Sequence, residues 1–209
     1  MIPSETYYTE LVNPMTYQQF KALTEELIAL NKTTGDEQTE QKINFTKLNQ
    51  QRMKRVEKQF VIQPELNELL AQNNVNWNWL ILVESWCGDG AQLLPAIAAI
   101  AEQTPGITLT VLLRDENPEL MNTCLTNNSR SIPKLICIDA ETGERIFTWG
   151  PRPTAIQEQV KQFKTLNPEV SHDELVQQIQ LWYAKDRSQA LQQDLYLLIS
   201  EVLKQVSIA

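Results

Sequence analysis

Residues 79 to 84, WLILVE, form an unbroken apolar run closed by an acid. A run of this length and composition is expected of a strand buried on both faces, and such strands sit in sheets flanked by helices. The surrounding sequence supplies those partners. Gly90 to Gln103 reads as a helix with Leu93, Ile97 and Ile100 on one side and Leu94, Ala98 and Ala101 beside them. Ile107 to Leu113, ITLTVLL, is the next strand, and a short helix is expected over Glu119 to Thr126. Lys134 to Ile138 reads as a strand, 139–143 as a turn, and Arg145 to Trp149 as a strand returning antiparallel. Gln59 to Ile62 is expected as one further short strand. Pro64 then suits the first turn of a helix, ELNELLAQ, where no backbone donor is needed.

Helices are expected on either side of this block. Thr16 with Gln19 is a capping-box pattern, followed by Phe20, Leu23, Leu27 and Leu30 at helical spacing. Residues 31–41 read as a polar loop. A second helix places Phe45, Leu48, Met53 and Val56 near one face. Its other positions carry Lys42, Lys47, Arg52, Lys54, Arg55 and Lys58, a third of all Lys and Arg in the chain. This basic face is expected to be solvated, with an anionic partner as the alternative. Thr154 with Gln157 opens a helix that Asn167-Pro168 ends. Ser171 with Glu174 caps another, with Leu175, Ile179 and Trp182 on one face. After a break at 185–188, Leu191, Leu195, Leu198, Val202 and Val206 form a last stripe.

A 209-residue chain with 42% hydrophobic residues can bury one sizeable core. Its formal net charge of -8 argues against nucleic acid as a partner. MIPSETYYTE (1–10) lacks the basic and apolar regions of a signal peptide, and no stretch is apolar enough to span a bilayer. Cys87, Cys124 and Cys137 are an odd number without framework spacing, which points to a reducing compartment. The expectation is a cytoplasmic protein without membrane attachment. No paired Cys/His spacing suggests a metal, and no phosphate loop suggests a nucleotide, so no cofactor is expected.

The order of these elements, with WCGDG (86–90) at the helix start, resembles the thioredoxin fold. Thioredoxins carry Trp-Cys-Gly-Pro-Cys there, and a proline kinks the helix five residues after the second cysteine; Pro95 stands five residues after Gly90. Ser131-Ile132-Pro133 resembles the cis-proline loop of that family, and Gly150 the glycine beside its substrate groove. NFTKLNQQRMKR, WCGDxAQ, SIPKL, WGPRP and WYAKD together resemble a narrower group of bacterial thioredoxin-like proteins with helical extensions. The implied architecture is α/β: a central mixed sheet flanked by helices. An N-terminal helical extension would cover 1–55, the thioredoxin-like domain 56–166, and a C-terminal helical extension packing on it 167–209.

Cys87 at a helix start should have a lowered thiol pKa, because free amides and the helix dipole favour an anion there. Asp89 opposes this by its charge, and with Gln92 it also fits a helix cap. The resemblance implies a buried proton-relay acid on the preceding strand. Glu84 is the candidate, with a solvated strand end as the alternative. Arg152 and Arg114 are candidates to hold an anion or stabilise the thiolate, Arg152 the better placed. The groove would comprise Trp86, Gly88, Asp89, Gly90, Ile132, Pro133, Gly150 and Arg152. Gly90 cannot resolve a mixed disulfide from within. Cys124 and Cys137 read as buried small hydrophobes, and His172, the only histidine, as a surface residue.

Two functions follow. One is monothiol exchange at Cys87 with protein or low-molecular-weight thiols and disulfides. The other is a non-catalytic peptide- or protein-binding module using the cis-proline groove. The sequence leaves the substrate, the reductant and the oligomeric state open.

Overall fold

The computed structural model describes residues 11–206. The decapeptide inspected above for a leader lies outside that range. In chain order the elements are α1 (Tyr17–Ala29), α2 (Glu40–Gln59), α3 (Pro64–Gln72), β1 (Trp77–Val83), α4 (Gly88–Gln103) and β2 (Ile107–Leu113). They continue with α5 (Pro118–Asn122), β3 (Lys134–Asp139), β4 (Arg145–Trp149), α6 (Thr154–Leu166), α7 (His172–Asp186) and α8 (Gln189–Val206).

The four strands form one mixed sheet in the order β2-β1-β3-β4. β1 runs parallel to β2 and antiparallel to β3, and β4 is antiparallel to β3. The WLILV part of β1 is central and buried throughout, as its unbroken apolar composition requires. α4 packs against β2 and α2, α8 against α3 and α6, and α7 against α6. The architecture is thus α/β, a mixed sheet flanked by helices, with helical extensions.

The strand expected over 59–62 does not form. Gln59 ends α2, and residues 60–63 are irregular. Their polar backbone groups find other partners. Phe60 N–H donates to Val56 O, and the side-chain amide of Gln192 on α8 bonds both Gln63 N–H (2.6 Å) and Val61 O (3.2 Å). Pairing at the β2 edge comes instead from Met15, which exchanges two hydrogen bonds with Val111.

The face of α2 also differs from expectation. Leu48 is exposed, while Thr46 and Asn49 are fully buried alongside Ile43, Met53 and Val56. These polar residues reach Ser85, just beyond β1. Ser85 Oγ lies within hydrogen-bond distance of the hydroxyls of Thr33, Thr34 and Thr46 (3.0–3.1 Å), and Asn49 Nδ2 donates to Ser85 O (2.9 Å). The polar stretch expected as a loop therefore includes two buried threonines. The division expected at residue 55/56 falls within α2, which crosses it without a break.

The C-terminal helices are bound in detail. α7 has the expected Ser171–Glu174 capping box. Tyr183 joins Leu175 and Ile179 on its buried face, whereas Trp182 is half-buried, edge-on to Phe163. In α8, Ile199 is buried with Leu191 and Leu195. Thr154 does not cap α6 as expected, because it is already the first helical residue. Asp194 of α8 does that work: its Oδ2 accepts from Thr154 N–H (2.9 Å), Thr154 Oγ1 (3.2 Å) and Trp149 Nε1 (3.0 Å). Asp194→Ala leaves the buried Trp149 indole and the α6 terminus without their acceptor. It should cost about 2 kcal/mol of stability, read as a lowered urea midpoint at unchanged slope; an unshifted midpoint would refute the anchoring role.

Candidate active site

The chain reaches the site through the turn between β1 and α4. Cys87 N–H donates to Glu84 O (3.0 Å), and Cys87 is the N-cap residue of α4. Its Sγ accepts from Gly90 N–H (3.3 Å) and donates to Ile132 O (3.4 Å). The Ile132-Pro133 bond is cis, and the hydrogen bond from Cys87 Sγ to Ile132 O places this loop opposite the cysteine, as expected. Gly150-Pro151 is cis as well. Gly150 has φ +113°, and a Cβ there would lie 2.3 Å from Pro133 O. Only glycine permits both the conformation and the approach of the two loops.

Cys87 lines a cleft of about 280 Å³. Trp86, Ile132 and Arg152 form one side, Phe45 and Arg52 come from α2, and Val176, Ile179 and Gln180 come from α7. His172 also lines it. That residue is exposed, as expected, but the first turn of α7 brings it to the cleft.

Asp89 does not cap the helix with Gln92, because Cys87 holds that position. Its carboxylate pairs with Arg152, Nε to Oδ1 (2.9 Å) and Nη2 to Oδ2 (2.7 Å), and accepts from the Tyr183 hydroxyl at Oδ1 (3.0 Å). Gln92 is used elsewhere: its Oε1 accepts from Arg55 (2.9 Å) and its Nε2 donates to Gln180 Oε1 (2.6 Å). α7 is thereby fastened to the start of α4 at two points. Burial works against the charge of Arg152, yet Asp89 holds the guanidinium above its ordinary pKa.

The expected lowering of the Cys87 pKa is reversed. Burial foremost, then the Asp89 charge, pushes the thiol up to about 12, against the amides of Gly90 and Asp89 and the charge of Arg152. The helix start acts as expected, but burying the thiolate costs more than a few amides return.

Glu84 is 1% exposed, so it is a buried acid rather than a solvated strand end. Its Oε1 accepts from Asp115 N–H (3.0 Å), and Oε2 has no partner of regular hydrogen-bond geometry among the described residues. Burial raises this carboxyl, while the neighbouring Thr34 hydroxyl and Asp115 amide oppose the rise. The carboxylate whose field reaches Cys87 is that of Asp89. Arg114 takes no part in the cleft wall. It pairs with Asp115 and lies over the Trp86 ring (5.0 Å), with Lys42 also over that ring (4.5 Å).

Cys124 and Cys137 are buried and free, and burial raises both thiols. Among the described residues, no group of three His, Cys, Asp or Glu side chains is placed to hold a metal ion. No helix among them is long and apolar enough to cross a membrane.

The sequence did not single out Phe45, Gln180 or Tyr183 as site residues, and it placed Arg52 on a basic face expected to be solvated, with an anionic partner as the alternative. For Phe45, Arg52 and Tyr183 the signal was present in NFTKLNQQRMKR and WYAKD, segments that set the narrower resemblance apart; Gln180 lies in neither.

A cysteine on the first turn of a helix, facing a cis-proline loop over a mixed sheet, defines a thioredoxin-like protein. A thioredoxin family model matches residues 35–164, more than half of the chain, which belongs to that family. No curated protein matches it. Two solved structures share the fold. A protein of unknown function from Pseudomonas aeruginosa is 18% identical, with TM-score 0.54 over 88% of this chain and 96% of that one. An HIV epitope scaffold is 16% identical, with TM-score 0.50 over 88% of this chain and 98% of that one.

Gly90 stands where the second cysteine of the family would be. A Cβ there would lie 3.4 Å from Cys87 Cβ, close to the 3.5–4.5 Å of disulfides, but 2.5 Å from Val83 Cγ2. Val83 fills the space of the missing side chain. Gly90→Cys alone should lower the melting temperature, whereas Gly90→Cys with Val83→Ala should fold and oxidise to a disulfide between Cys87 and the introduced thiol. Thiol counting by mass after oxidation checks this, and an unoxidised double variant would contradict it. Asp89→Asn removes the nearby negative charge and should move the Cys87 alkylation midpoint to lower pH, read by intact mass. A midpoint that stays put or rises would show that Asp89 does not set it.

Proposed function

We propose that the protein is a monothiol exchanger acting through Cys87. The observation that carries this reading is the position of Cys87 Sγ. Cys87 lines the cleft beside Ile132, and its Sγ accepts an amide hydrogen bond from the helix start. Arg152 adds a favourable charge.

In the reaction, Cys87 gives its proton to solvent, and its thiolate attacks one sulfur of a disulfide R–S–S–R. The Cys87–S–S–R bond forms as the old S–S bond breaks, and RS⁻ leaves with the electron pair. Because Gly90 offers no thiol, a second small thiolate from solution attacks the R sulfur. It departs with R as a new disulfide and returns Cys87 as thiolate. Glu84 is proposed as the buried acid behind the turn that the family uses for proton relay. Trp86 and the Ile132-Pro133 loop shape the groove, and Gly88 and Gly90 keep the helix start uncrowded.

The binding-module alternative is less well supported. Its groove would have to take an extended chain, and here α2 and α7 bound the cleft on two sides.

The test is adduct formation with glutathione disulfide in a Cys124→Ser/Cys137→Ser background, followed by intact mass. Below the thiol pKa, the thiolate fraction grows about tenfold per pH unit. The rate should therefore climb steeply from about pH 6 to 9 and not level off, and Cys87→Ser should form no adduct. A protein whose Cys87 forms no mixed disulfide at any pH in that range is not an exchanger.

A further inference from the structure

We infer that the cleft over Cys87 takes a small disulfide or thiol bearing a carboxylate, and that Arg52 receives that carboxylate. This rests on the exchange reading and names its substrate class. The charges around the cleft are unbalanced. Asp89 and Arg152 neutralise each other through two bonds. Arg52 brings another guanidinium from α2, and its hydrogen bond, Nη1 to Asn49 Oδ1 (2.8 Å), goes to a neutral amide. Among the described residues, no carboxylate lies within ion-pair distance of Arg52.

A guanidinium has five N–H donors in a planar fork that fits a carboxylate in two-point contact. Burial, and then the neighbouring Arg55, disfavour the charge of Arg52, and the Asp89 carboxylate, already paired with Arg152, offsets them only in part, so an arriving anion would still relieve both. The position is right for a ligand held on the sulfur. A Cβ on Gly88, the residue after Cys87, would lie 3.5 Å from Arg52 Nη1 and 3.1 Å from Gln180 Nε2. Two donors from two different helices thus meet beside the nucleophile.

Size points the same way. At about 280 Å³ the cleft is at the lower end of small-ligand sites. It suits a short, charged thiol compound better than a folded protein segment. Exchange then follows the steps above, with R carrying the carboxylate that sits on Arg52.

The experiment compares two disulfides, glutathione disulfide and the uncharged bis(2-hydroxyethyl) disulfide. Rates of Cys87 adduct formation are read by mass in the Cys124→Ser/Cys137→Ser background, with Arg52 intact, Arg52→Gln and Arg52→Lys. Arg52→Gln should lower the ratio of charged to uncharged rates about tenfold, the loss expected for one charge-assisted contact. Arg52→Lys keeps the charge without the fork and should keep part of the ratio. The uncharged probe reports whether each variant still presents its thiol. An unchanged ratio in Arg52→Gln overturns this inference and leaves exchange standing. No adduct with either probe, Arg52 intact, overturns the exchange reading and this one with it.

Discussion

Ser85 holds the molecule to its site. One hydroxyl, buried just past the central strand, gathers Thr33, Thr34 and Thr46, while the Ser85 carbonyl takes Asn49. A hydroxyl has one proton and two acceptor positions, so these neighbours share it as a network rather than as independent bonds. Breaking such a network would leave several polar groups buried without partners, each costing about 1–3 kcal/mol. The network fixes the register of α2 against the end of β1. That register places Phe45 and Arg52 in the cleft and Lys42 over the Trp86 ring. The N-terminal helices are thus part of how the active-site turn is held.

At the other end of the chain, the same role falls to carboxylates and amides. Asp194 joins α8 to β4 and α6, Gln192 joins it to the segment before α3, and Tyr183 joins α7 to Asp89. Both extensions reach the cleft through polar contacts, to the Ser85 hydroxyl and carbonyl on one side and to Asp89 and Gln92 on the other. The apolar stripes bring the helices close, and these contacts choose the position.

Most of the sheet was legible in the sequence because its strands are short, apolar and bounded by turn residues. Trp77 and Asn78 lengthened β1 beyond its apolar run, and the helix expected at 119–126 is the shorter α5, which begins one residue earlier at Pro118 and ends at Asn122. The failures share a cause. Residues 59–62 have strand-like composition, but the amide of a glutamine 129 residues further on satisfies Gln63 and competes with any ladder. On α2 the sequence showed leucine where the structure buries threonine and asparagine, because hydrophobic periodicity cannot register a buried polar network. At the site, the nucleophile, the proline loop and Gly150 were legible from local motifs. The thiol's environment was not, since burial by α2 and α7 depends on long-range packing that no local pattern carries.

The attachment of α7 carries a consequence for the thiol. Burial is the chief reason that Cys87 favours its protonated form, and α7 supplies part of that burial. A helix that changes the proton affinity of a sulfur must, by thermodynamic reciprocity, have its own docking changed by the sulfur's proton. Loss of that proton adds a negative charge next to Asp89, the carboxylate that Tyr183 grips. The cleft and its covering helix therefore form one two-site linkage system, in which the ionisation state of a single atom and the seating of fifteen residues are read from each other.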